Sequence, residues 1–265
     1  MARVLTIEIN GRRADAESVY RVATRNFGHF TSMQVRDGAV RGLDLHLERL
    51  ETASRALFGE GIACDGGTLR GLIGRALGAD RDASVRVTVA ARLDDPLSPD
   101  VMVAVSDPVP DAPQPAPRVR TVTYERELPH VKHLATMGLS YQPLQARAAG
   151  FDDVLFVGRD GRLSEGSIWN VAFWDGRQVV WPEAEVLPGI TMQLLRRGLT
   201  RLGLPWEVRP LTAADLPGLG AAAATNSICP CQPLAGIDGT SFPADGGALA
   251  EALAAAWAVI PWEAV

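Results

Sequence analysis

Phe27-Gly28-His29-Phe30-Thr31-Ser32, then Arg36-Asp37-Gly38, then His46-Leu47-Glu48-Arg49-Leu50 set out a strand, a turn and a helix within a short span. Asp-Gly between two alternating segments is a hairpin signal, because both positions tolerate the positive φ that a two-residue turn needs. It predicts strands over 30–35 and 40–43. Leu47, Leu50, Ala53 and Leu57 then keep helical spacing, and Gly59 stands where a C-terminal cap belongs.

Upstream, residues 4–10 read as a strand ending in a turn at Gly11. Downstream, 68–77 is expected to be helical, and 84–91 and 101–105 are valine-rich strands. The run 107–117 carries five prolines and can hold neither a helix nor a central strand. It marks a boundary between an N-terminal domain, 1–112, and a C-terminal domain, 119–265, with 113–118 as linker. Beyond it the pattern predicts strands at 119–124, 154–157, 171–174 and 206–209 and helices at 142–149, 192–202 and 248–257; the alanine run 221–224 reads as a buried strand.

Composition narrows the function classes. The 265 residues are 47% hydrophobic and 22% charged, with a net charge of −5 and no block of like charge, which argues against nucleic acid as the main partner. The N-terminus lacks the apolar core of a signal peptide, and no stretch reaches the length of a membrane span. Three cysteines, Cys64, Cys229 and Cys231, form no framework spacing and suit a reducing cytoplasm. His130 and His133 have no convincing third ligand and Cys229-x-Cys231 has no second pair, so no metal is expected. No nucleophile elbow, phosphate-binding loop or dinucleotide fingerprint is present.

One count is sharper. Among 26 lysines and arginines only one is lysine, Lys132. A position that stays lysine in so arginine-rich a chain suits a need guanidinium cannot meet: an amine that loses its proton and attacks a carbonyl. Other candidates are weaker alone. Pro188-Gly189-Ile190-Thr191 opens a helix and offers free backbone N–H groups to an anion. Thr225-Asn226-Ser227 is a polar cluster after a buried strand, Glu165 lies in a polar stretch past Gly161, and Arg49 sits in the first helix.

Taken in order, these segments resemble the class IV (fold type IV) pyridoxal-phosphate enzymes: branched-chain and D-amino-acid aminotransferases and aminodeoxychorismate lyase. The family pattern "GDGxFET…DG…HLxRL" is similar to the opening stretch, and its lysine matches Lys132 in Val131-Lys132-His133-Leu134. Its "GxxEAlxxDxxGxxxEGxxxN" looks like Gly150 to Asn170, its "LpGiTR" matches 187–191, and its "TNS…P…IDG" matches Thr225-Asn226-Ser227, Pro233 and Ile237-Asp238-Gly239. The resemblance implies a two-domain α/β (α+β) fold, with a smaller N-terminal domain and a larger C-terminal one built on a barrel-like sheet. It implies pyridoxal 5′-phosphate held as a Schiff base on Lys132, with Glu165 at the ring nitrogen. Arg49, Gly189, Ile190, Thr191, Asn226 and Ser227 would take the phosphate, and Phe30, Thr31 and Ser32 would line the substrate pocket.

The departures fall where substrate or ring orientation is set. "GDG" is Asn26-Phe27-Gly28, the usual Glu is Thr31, and Ala135, Met137 and Met192 replace the family's Asn, aromatic hydroxyl and Arg. Three readings follow. The first is an aminotransferase working between an amino acid and a 2-oxo acid. The second is a lyase releasing pyruvate by β-elimination from aminodeoxychorismate, which Phe30-Thr31-Ser32 and Lys132-His133-Leu134 favour. The third is a degenerate member that binds the cofactor or another anion without catalysis. A cytoplasmic homodimer is implied in each.

Overall fold

The structure is a computed structural model that describes residues 3–59, 65–110 and 114–265. Cys64, and residues 111–113 at the expected domain boundary, lie outside the described residues. The chain divides into two compact units, Met1–Pro110 with Val131–Ala135 and Pro261–Val265, and Asp111–His130 with Thr136–Ile260. The division is therefore not sequential as expected: Lys132 belongs to the first unit, because its segment pairs with a strand of that unit. The described residues of the proline run have no regular secondary structure.

The first unit runs β1 (Val4–Ile9), β2 (Arg12–Arg13), α1 (Ala16–Ala23), β3 (Gly28–Val35), β4 (Ala39–Val40), α2 (Leu43–Phe58), α3 (Gly66–Leu77), β5 (Ala83–Ala90) and β6 (Asp100–Ser106). Its five-stranded sheet has the order β2-β1-β6-β5-β3. The hairpin turn is as the Asp-Gly pair predicts: Asp37 and Gly38 take φ of 50° and 73°, and Arg36 and Ala39 exchange two backbone bonds of 2.9 Å. The second strand stops at Val40, however, because Gly42 (φ 71°) caps α2 and Leu43 already belongs to the helix. The valine alternation buries Val85, Val87, Val103 and Val105 with Met33 and Val35 against Leu50, Leu69 and Ile73 of the helices. α1 was not foreseen; its signal was the capping box in which Asp15 accepts from Ser18 N and Ser18 Oγ from Asp15 N.

The second unit continues with β7 (Arg118–Thr123), α4 (Met137–Ala148), β8 (Asp153–Val157), β9 (Leu163–Gly166), β10 (Asn170–Trp174), β11 (Val179–Pro182), α5 (Ile190–Leu202), β12 (Trp206–Arg209) and β13 (Ala221–Thr225). It ends with β14 (Gln232–Pro233), β15 (Gly236–Ile237), β16 (Thr240–Ser241) and α6 (Gly247–Ala258); the last strand, β17 (Glu263–Ala264), pairs with β4 inside the first unit. A ten-stranded mixed sheet follows the order β12-β11-β10-β9-β8-β7-β15-β16, with β13 on β10 and β14 on β13. α4 begins earlier than expected, at Met137, and carries Pro143 within it.

Both faces of the β10–β13 region are covered, which explains its unbroken apolar runs. Ala172, Trp181, Ala221 and Ala223 pack with Leu195 and Leu199 of α5 and Leu249 and Leu253 of α6. The alternate residues Val171, Phe173, Val180 and Ala222 meet Leu155, Leu163 and Leu211. No helix among the described residues is long and apolar enough to cross a membrane.

The crossing of α5 and α6 sets a tight limit. A Cβ on Gly198 would lie 2.2 Å from the carbonyl oxygen of Ala256. Ala exceeds Gly in helix propensity by up to about 1 kcal/mol, yet Gly198→Ala should lower stability by about 1–3 kcal/mol through overpacking. Urea denaturation checks this, and a raised midpoint would show that the helices separate without cost.

Candidate active site

In the first unit the site is organised by the free edge of β3. Phe30 N donates to Lys132 O and Leu134 N to Gly28 O, both at 2.9 Å, with His29 opposite His133. Residues 132–134 thus extend the sheet by a short strand-like segment. Gly28 makes this possible: its φ is 156°, and a Cβ there would lie 2.3 Å from Val89 O and 3.0 Å from Leu134. The Lys132 Nζ lies 4.9 Å from the centroid of the Phe30 ring.

Strand alternation sorts the three expected pocket residues. Phe30 and Ser32 share a face with Thr88 and Arg86, their register partners on β5. The Arg86 guanidinium carbon sits 3.6 Å from the same Phe30 ring, so both cations lie against one aromatic side chain. Arg86 escaped the sequence reading, although a lone cation in Ser84-Val85-Arg86-Val87-Thr88 is the kind of break that marks a functional position. Thr31 faces the other way, into the packing with α2, where its hydroxyl lies 2.6 Å from His46 Nδ1. It is fully buried and does not share the face of Phe30 and Ser32.

His46 also reports on its neighbours. Burial, then the positive charges of Arg49 and Lys132, push its pKa down to about 3. Arg49 and Lys132 therefore bear on one imidazole, which stays neutral. His29, with Nε2 2.9 Å from Ser54 Oγ, is pushed down to about 4 by burial alone.

In the second unit the centre is Glu165 on β9, opposite Asn170 on β10. Its Oε1 accepts from Arg126 Nη1 at 3.2 Å, with the two side chains 8% and 5% exposed. Its Oε2 accepts from Leu187 N at 3.1 Å and, at 3.5 Å, from Asn170 Nδ2. Arg126 Nη1 also donates to Pro129 O at 3.1 Å. Asn170 in turn donates to Leu187 O at 2.9 Å. A Cβ on Gly189 would lie 1.9 Å from Asn170 Oδ1, so the turn into α5 needs glycine for closeness, not for its φ of −59°.

Ile190 and Thr191 are buried in the first turn of α5, where the leading N–H groups have no acceptor within the helix and no acidic side chain is present. β13 pairs Thr225 with Asn170, which ties the Thr225-Asn226-Ser227 segment to the Glu165 cluster. Asn226 Oδ1 accepts from Ile228 N and Cys229 N, each at 2.9 Å, so its carbonyl shapes the turn. A cavity of about 320 Å³ in this unit is lined by Tyr124, Arg126, Phe156, Ser164, Glu165 and Glu185 among others. Arg126 was not foreseen, since a partner 39 positions away leaves no local pattern; Asn170 closes the stretch matched from Gly150, but no role was assigned to it.

The donor set fits a phosphorylated pyridine aldehyde. The first unit holds an amine and a guanidinium beside a neutral imidazole, and the second a buried, ion-paired carboxylate and an anion-receptive helix start.

The family model for amino-transferase class IV matches residues 28–237. Among solved structures, a branched-chain aminotransferase from the thermophilic archaeon Thermoproteus uzoniensis, with norvaline, is 20% identical with a TM-score of 0.82, covering 96% of this chain and 93% of its own. A hypothetical aminotransferase from Mycobacterium tuberculosis in its PLP-bound form is 23% identical with a TM-score of 0.75, covering 89% and 90%. A putative 4-amino-4-deoxychorismate lyase from Legionella pneumophila is 18% identical with a TM-score of 0.75, covering 88% and 91%. No curated protein sequence matches.

The two histidines make stability depend on pH with a definite sign. Between the folded values of about 3 to 4 and an unfolded value of about 6.5, only the unfolded chain binds the proton. Their contribution is complete above the unfolded value and is lost as pH falls, by up to about 1.4 kcal/mol per pH unit for each group. His46→Gln should make the decline in unfolding free energy below about pH 6.5 shallower by nearly one proton. Denaturant titrations across that range measure it; an unchanged slope would mean that His46 is not held neutral.

Proposed function

The chain belongs to the class IV aminotransferase family, enzymes that use pyridoxal 5′-phosphate, and from that premise we propose that it moves an amino group between an amino acid and a 2-oxo acid. The observation that carries this reading is the sole lysine, set on the β3 edge against Phe30 with the charge of Arg49 nearby. When bound, the cofactor supplies an electron sink for the pair released as a substrate Cα–H bond breaks. Lys132 would hold its aldehyde carbon through Nζ and, once displaced by the substrate amine, move the proton at Cα. Glu165 would accept a hydrogen bond from the protonated ring nitrogen, and Arg126 holds that carboxylate in place through Nη1. Arg49, the α5 start at Gly189, Ile190 and Thr191, and Asn226 and Ser227 would take the phosphate.

Phe30, Ser32 and Arg86 share the face on which Lys132 meets the Phe30 ring, and Arg86 would bind a substrate carboxylate. Thr31 would act indirectly, by holding His46. A lyase releasing pyruvate from aminodeoxychorismate is the second reading, favoured by Phe30-Thr31-Ser32 and Lys132-His133-Leu134. Both begin with the same proton abstraction, so the cofactor residues do not separate them.

Holoenzyme given amino donors should transfer the amino group only when a 2-oxo acid is present, and Lys132→Ala should lower the rate by about 10³-fold or more. Borohydride should fix the visible absorbance and add mass to the peptide containing Lys132. Pyruvate released from aminodeoxychorismate without any acceptor would replace the first reading by the second.

The same reading places the enzyme in the cytoplasm as a homodimer. Met137, Tyr141 and Leu144 are exposed at helical spacing along α4, opposite its buried Ala146. Light scattering should give twice the chain mass, and Tyr141→Asp should shift it toward the monomer if this stripe forms the contact.

A further inference from the structure

The outer face of α5 carries a second concentration of positive charge; Gln193 at its near end donates to Pro188 O at 3.0 Å, and the arginines lie further along the helix than Thr191. A shallow cavity of about 500 Å³ is lined by Gln193, Arg196, Arg197, Thr200, Arg201 and Trp206. The five helical positions follow i, i+3, i+4, i+7 and i+8, which places them on one face over two turns. Trp206, from β12, closes one side, and its indole N–H donates to Thr200 Oγ1 at 2.9 Å.

Arg196 is the unusual member. Its guanidinium carbon lies 5.2 Å from the ring centre of Trp181 and 5.5 Å from that of Trp206. Its Nε is buried without a hydrogen-bond partner, and so is the indole nitrogen of Trp181 beneath it. Among the described residues neither Arg196 nor Arg201 forms an ion pair; Arg201 donates only to the backbone oxygen of Val259, at 3.2 Å. The carboxylate on the adjoining strand, Glu207, is committed to Arg209 at 2.8 Å.

A structural role accounts for part of this. Stacking on indole rings contributes roughly 0.5–2 kcal/mol and shields an arginine stem. It does not account for a half-buried guanidinium left without an anion beside a second unpaired cation, in a chain of net charge −5. Desolvating such a charge is costly unless something satisfies it. An oxyanion does so, because the fork of guanidinium donors matches two oxygens at once.

We propose that this face of α5 is a binding site for a diphosphate group, independent of the active site. Arg196, fixed by the two tryptophans, and Arg201 hold the two ends, and the Thr200 hydroxyl, already an acceptor from Trp206, donates its proton to the anion. Arg196 and Arg201 are separated by about 7.5 Å of helix rise, more than one tetrahedral oxyanion spans and within reach of two linked phosphates.

The test is calorimetric titration of pyridoxal-phosphate-saturated enzyme with inorganic pyrophosphate, with sulfate as the single-anion control. The expected result is saturable binding of one pyrophosphate per chain, accompanied by a change in tryptophan fluorescence, and at least tenfold weaker binding of sulfate. Arg196→Ala should weaken binding tenfold or more while leaving the visible cofactor absorbance unchanged. If that variant unfolds, Arg201→Glu, at an exposed position, serves in its place and should abolish binding with an unchanged melting temperature. Absence of saturable binding, or binding that survives Arg201→Glu, overturns the proposal.

Discussion

A carboxylate taken out of water must be paired or it will not stay charged, and Glu165 is the place where that constraint shapes the second unit. Each of its oxygens is engaged: Oε1 by Arg126, Oε2 by Leu187 N and Asn170 Nδ2. Satisfying it binds together segments far apart in sequence. The loop holding Pro129, the β9–β10 pair and the turn into α5 are all fixed by bonds that exist because this charge is buried. Replacing such a pair by apolar residues often costs nothing in stability. Under the proposed function, this fixed carboxylate is the group that would meet the ring nitrogen. The glycine at 189 follows from the same constraint, since Asn170 can reach both Glu165 and Leu187 only if nothing larger stands at the turn.

The first unit solves a different problem, placing one amine without burying it beneath a second charge. Backbone pairing with β3 holds the Lys132 main chain, and the Phe30 ring gives its side chain an uncharged surface to rest on. The imidazole under this arrangement is kept neutral, so it adds no further repulsion to a region that already holds Arg49 and Lys132. Where the family pattern has Glu, the short Thr31 hydroxyl reaches His46 at 2.6 Å within a packed interior in which a carboxylate would need a counter-charge.

Elements with strict periodicity were legible in the sequence. The valine strands β5 and β6, the amphipathic α5 and the Asp37-Gly38 turn each declare themselves within a few residues. What stayed hidden was short or masked by local chemistry. β9 is four residues inside a polar stretch, and Leu163 is buried there by packing with Leu211 and Leu216, far along the chain. α4 contains Gly138 in its first turn and Pro143 at its middle, which disguises its start; Gly138 is required because a Cβ there would meet the Tyr124 ring. For the site, short motifs in the right order named Lys132, Glu165, Gly189 and Thr191, but not their partners. Arg126 lies 39 positions from Glu165, and no local pattern encodes such a pairing.

The uneven use of cations ties these levels together. Arginine serves wherever a persistent charge or a flat donor fork is wanted: Arg126 against a buried carboxylate, Arg86 on an aromatic face, Arg196 between two tryptophans. None of those sites would gain from a group that can shed its proton, and a stacked guanidinium is more easily desolvated than an ammonium. The single lysine, proposed above to carry the aldehyde, stands on a strand edge pinned by backbone bonds at its own carbonyl and at Leu134. On a protein surface, exchanging lysine for arginine keeps the positive charge. At position 132 the same exchange would keep the charge and remove the amine on which the proposed function rests, so composition and the β3 edge point to one residue.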